Sequence, residues 1–234
     1  MKLSKLGRKL LLLQRNELLS DQQVNLRKRF GRFLFTNLFV NYYQKKNLEL
    51  LAEKIFRSEL QTLKKILPSK TNSILDIGCG IGLINIYLNE HYKNQVSFYL
   101  VDKNRIDYKI KYGFSSVYES YNNLFETKKI LLNNGIDEKN IFLFDVEKNI
   151  KINRKIDFII SLKSMGYHYP FENYLNLFHQ VSSSDTVYCF DISAEKYPNL
   201  KIIEKHFEKI EIIYEENSIH PLKRIVCKGL KVNS

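Results

Sequence analysis

An apolar run, Ile74-Leu75-Asp76-Ile77, passes without interruption into Gly78-Cys79-Gly80-Ile81-Gly82, and a helical pattern follows. Three glycines at alternate positions after a strand let the chain turn sharply and bring its backbone close to a ligand. A second apolar run, Val96–Val101, ends in Asp102, twenty residues after Gly82. A carboxylate at that place is set to accept hydrogen bonds from both hydroxyls of a ribose. The pair constrains this stretch to a strand–turn–helix–strand unit that offers a nucleoside cradle at its strand ends.

The rest of the chain from Ser73 onward has the same grammar. Short β-rich runs occur at Ser73–Ile77, Val96–Val101, Asn140–Phe144, Ile156–Ser161 and Thr186–Phe190. Helical patterns lie between them near Ile81–Glu90, Ser116–Asn133 and Phe171–Val181. Such alternation predicts an α/β chain with a parallel sheet and helices on both faces. A further helix is expected near Glu195–His206, then two strand-like runs, Lys209–Glu215 and Leu222–Lys231, only six residues apart. So short a link holds no crossover helix, so these two should pair antiparallel.

Residues 1–69 read differently, as a basic helical arm ahead of an α/β domain over 70–234. Leu3, Leu6, Leu10 and Leu13 recur at helical spacing among Lys2, Lys5, Arg8 and Lys9. Further helices are expected over Asp21–Tyr43 and Leu48–Ile66, the last ended by Pro68. Charge separates the two parts. Residues 1–70 hold sixteen Lys or Arg against five Asp or Glu, almost the whole of the net +12. A one-signed field of this kind attracts polyanions: an anionic membrane surface, nucleic acid, or a phosphorylated acceptor. A solvated helical face in a lysine-rich chain accounts for the same count. Likewise Arg27, Lys28, Arg29 and Arg32 beside Phe30, Phe33 and Phe35 suit either docking on such a partner or an aromatic face packed inward with its charges outside.

At 44% hydrophobic and 26% charged, the chain is not a disordered polyelectrolyte. No apolar run reaches eighteen residues, and Leu10–Leu13 is too short for a signal-peptide core, so no integral membrane segment or secretory signal is expected. Three scattered cysteines, Cys79, Cys189 and Cys227, suit free thiols in a reducing cytoplasm. No His/Cys/carboxylate set has the spacing of a metal site.

The glycine spacing decides which nucleoside is expected. A dinucleotide fingerprint requires a glycine at the sixth position, where Leu83 stands, and no phosphate-loop lysine follows. The stretch Asp76-Ile77-Gly78-Cys79-Gly80-Ile81-Gly82 with Asp102 instead resembles the class I S-adenosylmethionine-dependent methyltransferases, over roughly residues 70–231. The resemblance implies a Rossmann-like, doubly wound, mostly parallel seven-stranded sheet with an antiparallel terminal strand. It implies S-adenosylmethionine as cofactor, with the glycine turn against the methionine moiety and Asp102 on the ribose. Asp145, following the third strand, takes the place of the family's acidic residue near the adenine N6, and Ser161 ends the fourth strand beside the cofactor.

After the fourth strand comes Ser161-Leu162-Lys163-Ser164-Met165-Gly166-Tyr167-His168-Tyr169-Pro170. Strand carboxyl ends are where open parallel sheets gather their ligands, so this segment should face the acceptor. An alcohol acceptor requires a base during attack, and His168, with an ordinary imidazole pKa near 6.5, suits that work. A packed loop histidine is the plainer alternative. Tyr167 and Tyr169 would stack on a sugar or hold its hydroxyls, or else simply pack, and Lys163 would meet a phosphate on the acceptor or stay solvated. The Asn/Asp-Pro-Pro-aromatic signature of adenine N6 or glutamine methylation is absent here.

The runs Lys111-Tyr112-Gly113-Phe114, Tyr121-Asn122-Asn123-Leu124 and Asn133-Asn134-Gly135-Ile136, with Ser161–Pro170, resemble bacterial sugar O-methyltransferases associated with surface-polysaccharide biosynthesis. That resemblance implies a saccharide acceptor: a nucleotide sugar, a surface glycan or a lipid-linked sugar. Met165 departs from the basic or aromatic residue usual in that loop. The arm would then serve as a lid, a contact between two copies of the chain, or a dock that places the protein peripherally on the inner membrane surface. Two other readings follow from the same residues: an rRNA or tRNA methyltransferase whose arm binds RNA, and a scaffold that keeps the fold without the reaction. Segment Asn104–Ser116 is expected to cover the cofactor.

Overall fold

The computed structural model describes residues 1–42, 45–107, 121–166, 169–216 and 221–231, with only the backbone at 42, 45 and 46. Ser4 caps helix α1 (Lys5–Gln14), its Oγ accepting the Gly7 N–H at 2.9 Å. A reciprocal capping box between Ser20 and Gln23 starts α2 (Asp21–Phe30). Gly31, at φ +82°, ends it, and α3 (Arg32–Tyr42) begins at once. The one helix expected over Asp21–Tyr43 is thus two, because a residue at positive φ breaks the helical run; Tyr43 itself lies outside the described residues. Helix α4 (Lys45–Leu63) buries Leu48, Ala52, Phe56, Leu60 and Leu63, one face of the helical period.

Strand β1 (Ser73–Ile77) is buried along its whole length and leads through the glycines into α5 (Leu83–His91). Then come β2 (Ser97–Asp102), α6 (Leu124–Asn133), β3 (Ile141–Asp145) and β4 (Phe158–Ser161). A 3-10 turn over Phe171–Tyr174 runs into α7 (Leu175–Val181), followed by β5 (Val187–Ser193) and α8 (Lys201–Glu204). The pair β6 (Phe207–Glu216) and β7 (Leu222–Leu230) completes the sheet. The order is β3-β2-β1-β4-β5-β7-β6. Strands β1 to β5 pair parallel, and β7 runs antiparallel to both β5 and β6. The antiparallel strand is last in the chain but not last in the sheet: it inserts between β5 and β6. The helix expected over Glu195–His206 shrinks to α8, because Pro198 lacks an N–H and disfavours helical geometry at Tyr197.

Period-two alternation sends strand side chains to two cores. Ile74, Phe98, Leu100, Phe158 and Ile160 pack with leucines of α1, α4, α5 and α6 on one face. Leu75, Ile77, Val101 and Ile159 pack with Phe171, Phe178, Tyr188 and Phe207 on the other. Leu10, Leu11 and Leu12 of α1 are fully buried, each worth about 2 kcal/mol of transfer free energy. The N-terminal helices therefore share the core of the sheet face that carries the glycine loop. A buried ion pair adds a tie: Arg224 of β7 donates to both carboxylate oxygens of Asp191 at 2.6 and 2.8 Å, and to the Thr62 hydroxyl of α4. Among the described residues no helix is long and apolar enough to cross a membrane.

Candidate active site

The chain order reverses between β1 and β4, so a crevice opens at their carboxyl ends, where open α/β sheets bind ligands. The glycine loop lies there. Gly78, Gly80 and Gly82 take φ values of +70°, +54° and +73°, a region that side-chain-bearing residues rarely occupy. The Gly78 N–H donates to the Val101 carbonyl at 2.7 Å, and the Gly80 N–H to Asp102 Oδ2 at 2.6 Å. The Lys103 N–H donates to the other carboxylate oxygen at 2.7 Å. One carboxylate thus fixes the loop to the end of β2. From the far side, the Gly80 carbonyl accepts from Asn122 Nδ2 at 2.8 Å and Thr127 Oγ1 at 3.0 Å.

Two acids here are displaced from their ordinary range. Burial pushes Asp102 up to about 6, with the Gly80 and Lys103 N–H groups pulling it back. Burial likewise pushes Asp76 up to about 7, against the hydrogen bond from Asn85 and with the Asp102 charge adding to the rise. Asp76 does not face the crevice. Its Oδ2 accepts from Asn85 Nδ2 of α5 at 2.6 Å, fastening the strand to the helix below the loop.

Gly78, Val101, Asp102, Lys103 and Val146, whose N–H donates to the Asp102 carbonyl at 3.0 Å, line the crevice together with Ser164, Tyr169 and Tyr174. Ser164 sits against Gly78, with its Oγ and Cβ where a side chain at position 78 would project. The Lys103 ammonium lies 5.5 Å from the centre of the Tyr169 ring. Burial raises the Tyr169 hydroxyl pKa. Asp145 stands beside Asp102 in register, and its Oδ1 accepts the Glu147 N–H at 3.1 Å, while the neighbouring Val146 lines the crevice. Ser161 is fully buried: its Oγ donates to the Ile77 carbonyl at 2.7 Å and accepts the Met165 N–H at 3.1 Å. It pins the loop after β4 to the end of β1 without facing the crevice. Lys163 is held at φ +56° and pairs with Glu17. Tyr167 and His168 lie outside the described residues, as does the expected cover from residue 108 onward.

The structure brings in groups that no local pattern marks. Gln14, the last residue of α1, accepts the Ile81 N–H at 3.3 Å and donates to the Tyr121 carbonyl at 2.8 Å. Its Oε1 would lie 2.6 Å from a Cβ at Gly80. Glu17 follows, pairing with Lys163, and Arg15 pairs with Glu59 at 2.8 Å. Burial alone would raise Glu17, but the Arg15 and Lys163 charges outweigh it and hold the carboxyl below its ordinary range. The turn after α1 therefore seals one side of the glycine loop. Some of the arm's cations are internal: Arg27 is buried and donates to Asn16 Oδ1 at 2.7 Å.

The sequence matches no protein-family model and no curated protein. Solved structures do resemble it. A candidate O-methyltransferase of Nostoc punctiforme PCC 73102 aligns with a TM-score of 0.53 at 10% identity, over 75% of this chain and 56% of that one. A precorrin-6y C5,15-methyltransferase of Geobacter metallireducens GS-15 aligns with a TM-score of 0.50 at 13% identity, over 73% of this chain and 86% of that one. At such identities the likeness is one of fold, and the fold is the Rossmann-like sheet that these methyltransferases have.

Proposed function

We propose that the chain is an S-adenosylmethionine-dependent O-methyltransferase whose acceptor is a saccharide hydroxyl, on a nucleotide sugar, a surface glycan or a lipid-linked sugar. The observation that carries the reading is the glycine loop at the switch point, three residues at positive φ tied by the Gly80 N–H to Asp102. These residues suit the cofactor. Ser164 fills the side-chain space at position 78, so only glycine fits the turn there. Asp102 accepts one N–H on each oxygen and keeps lone pairs for two ribose hydroxyls. Val101 and Val146 offer apolar walls to a base, and Asp145 stands at the edge beside them. Ser164 and Tyr169 close over the crevice, so ligand entry displaces them.

When bound, S-adenosylmethionine supplies an electrophilic methyl group. The chain's own residues do the rest. Gly78, Gly80 and Gly82 let the backbone approach; Asp76 and Ser161 hold the loops that flank it. Tyr167, Tyr169 and Lys163 orient the acceptor. His168 takes the acceptor hydroxyl proton on an imidazole nitrogen, a contribution of about 10² to 10⁴ in rate.

Labelled S-adenosylmethionine incubated with fractionated cell extract should place its methyl group in the saccharide fraction. The His168→Ala variant should lose turnover while calorimetry still detects cofactor binding. Unchanged turnover would dispose of the base, and absence of cofactor binding in the wild type would dispose of the reaction. The basic excess of residues 1–70 favours a second reading, an RNA acceptor. Label in RNA, with affinity falling several log units per log unit of salt, would put that reading in place of the first.

A further inference from the structure

The loop after β4 is held in a conformation that its own backbone disfavours. Lys163 stands at φ +56°, a left-handed geometry that is costly for a residue with a side chain and persists only where its neighbours impose it. The next residue, Ser164, places its Oγ and Cβ on Gly78, at the turn a cofactor must approach. Gln14 Oε1 covers the neighbouring Gly80 and accepts the Ile81 N–H at 3.3 Å. The glycine loop is therefore covered from both the turn after α1 and the loop after β4.

These two covers are joined by one ion pair, Glu17 with Lys163. Its frame is anchored: Leu18 and Leu19 follow Glu17 and are buried, and Leu162 and Met165 are buried on either side of Lys163 and Ser164. The pair itself stays accessible, with 38% and 29% of the two side chains exposed, so water can replace either partner. Its loss strands no charge, because Arg15 lies 3.7 Å from Glu17 and the Lys163 ammonium reaches solvent. For Ser164 to leave Gly78 the loop must shift, and that shift releases the Met165 N–H from Ser161 Oγ. An accessible ion pair and a left-handed lysine are comparable in size and opposite in sign, so the loop has two states close in energy.

We propose that the Glu17–Lys163 pair is a latch that keeps the cofactor crevice shut, and that its release lets Ser164 leave Gly78 and S-adenosylmethionine enter. Opening relaxes the strain at Lys163, which offsets the lost pair, and frees its ammonium for a group on the acceptor. The inference rests on the cofactor assignment and holds whichever acceptor is methylated.

The test combines calorimetric titration of the full chain with S-adenosylhomocysteine and amide exchange at Met165 without any ligand. Glu17→Gln should bind about two- to fivefold more tightly than the wild type, and its Met165 amide should exchange faster by the same factor, since both scale with the open fraction. Lys163→Met should do the same, and the double variant should gain no more than either single one. Lys163→Gly loses the pair and the strain together, so it should bind at least about twofold less tightly than Lys163→Met. Three results overturn the proposal: Met165 exchange in Glu17→Gln equal to that of the wild type, which shows that the pair holds nothing shut; weaker binding by Lys163→Met beside tighter binding by Glu17→Gln, which makes Lys163 a ligand of the cofactor; or equal affinities of Lys163→Gly and Lys163→Met, which removes the strain. Faster Met165 exchange in a chain that binds no S-adenosylhomocysteine in any form would leave the latch standing and overturn the cofactor assignment instead.

Discussion

Replacing Gly78 with alanine puts a methyl group into the space that Ser164 holds, at a φ of +70°. Two costs arise. Holding alanine in the left-handed region costs about 1 to 2 kcal/mol. The overlap with Ser164 is not relieved by a rotamer change, because its Cβ as well as its Oγ is in the way. The whole loop must shift, although Ser161 Oγ holds Met165 N–H at 3.1 Å and the Gly166 N–H donates to the Tyr169 carbonyl at 2.7 Å. Overpacking of this kind costs about 1 to 3 kcal/mol. The expected loss is therefore about 2 to 5 kcal/mol, a fall in thermal midpoint of very roughly 5 to 15 °C for a chain of this size. Gly135 provides the control, since it has φ +90° but nothing within 4 Å of the added methyl. Gly135→Ala should show the backbone cost alone. Ser164→Gly in the Gly78→Ala background should then recover the overlap share and leave a loss close to that of Gly135→Ala. Equal midpoints for the two single variants, or no recovery in the double variant, would refute the account of a cradle closed by Ser164.

Other expectations concern charge. Asp76 near 7 and Asp102 near 6 both lie above the roughly 3.9 of an unfolded aspartate, so between pH 4 and 7 the folded chain holds protons that the unfolded chain has released. Their contribution to stability therefore falls as pH rises through that window, by up to about 1.4 kcal/mol per pH unit per proton. Asp76→Asn should flatten the pH dependence of the urea midpoint and gain stability over the wild type at pH 7.5 to about 8; an identical pH profile would exclude it. Asp191→Ala strands the buried Arg224 charge, and a loss of about 3 to 5 kcal/mol in urea unfolding is expected. A loss below about 1 kcal/mol would show that the ion pair is not what holds β7 to β5.

Local pattern made much of this protein readable in advance. Strands β1 to β5 alternate with helices, except between β3 and β4, because a parallel sheet buries both faces, and that requirement writes apolar runs into the chain. The glycine loop and Asp102 were legible for a related reason: a sharp turn at positive φ admits few residue types, and a fixed strand–helix–strand length fixes the interval to the acid. The cuts at Gly31 and Pro198 were also present as residues, but helical periodicity on either side concealed them.

What no local pattern could supply was which distant segment meets which. Gln14 reaches Ile81 across 67 residues of chain, and Ser164 meets Gly78 from the loop after β4. A glutamine or a serine carries no mark of such a partner. The sign of the arm's charge was countable, but whether a cation faces water or a carboxylate was not: Arg15 and Arg27 turn inward, whereas Lys28 and Arg29 face solvent. Composition and periodicity determine which side chains must leave water and which turns the backbone can make. The identity of each buried neighbour, and hence the closed crevice, depends on long-range packing that only the folded chain decides.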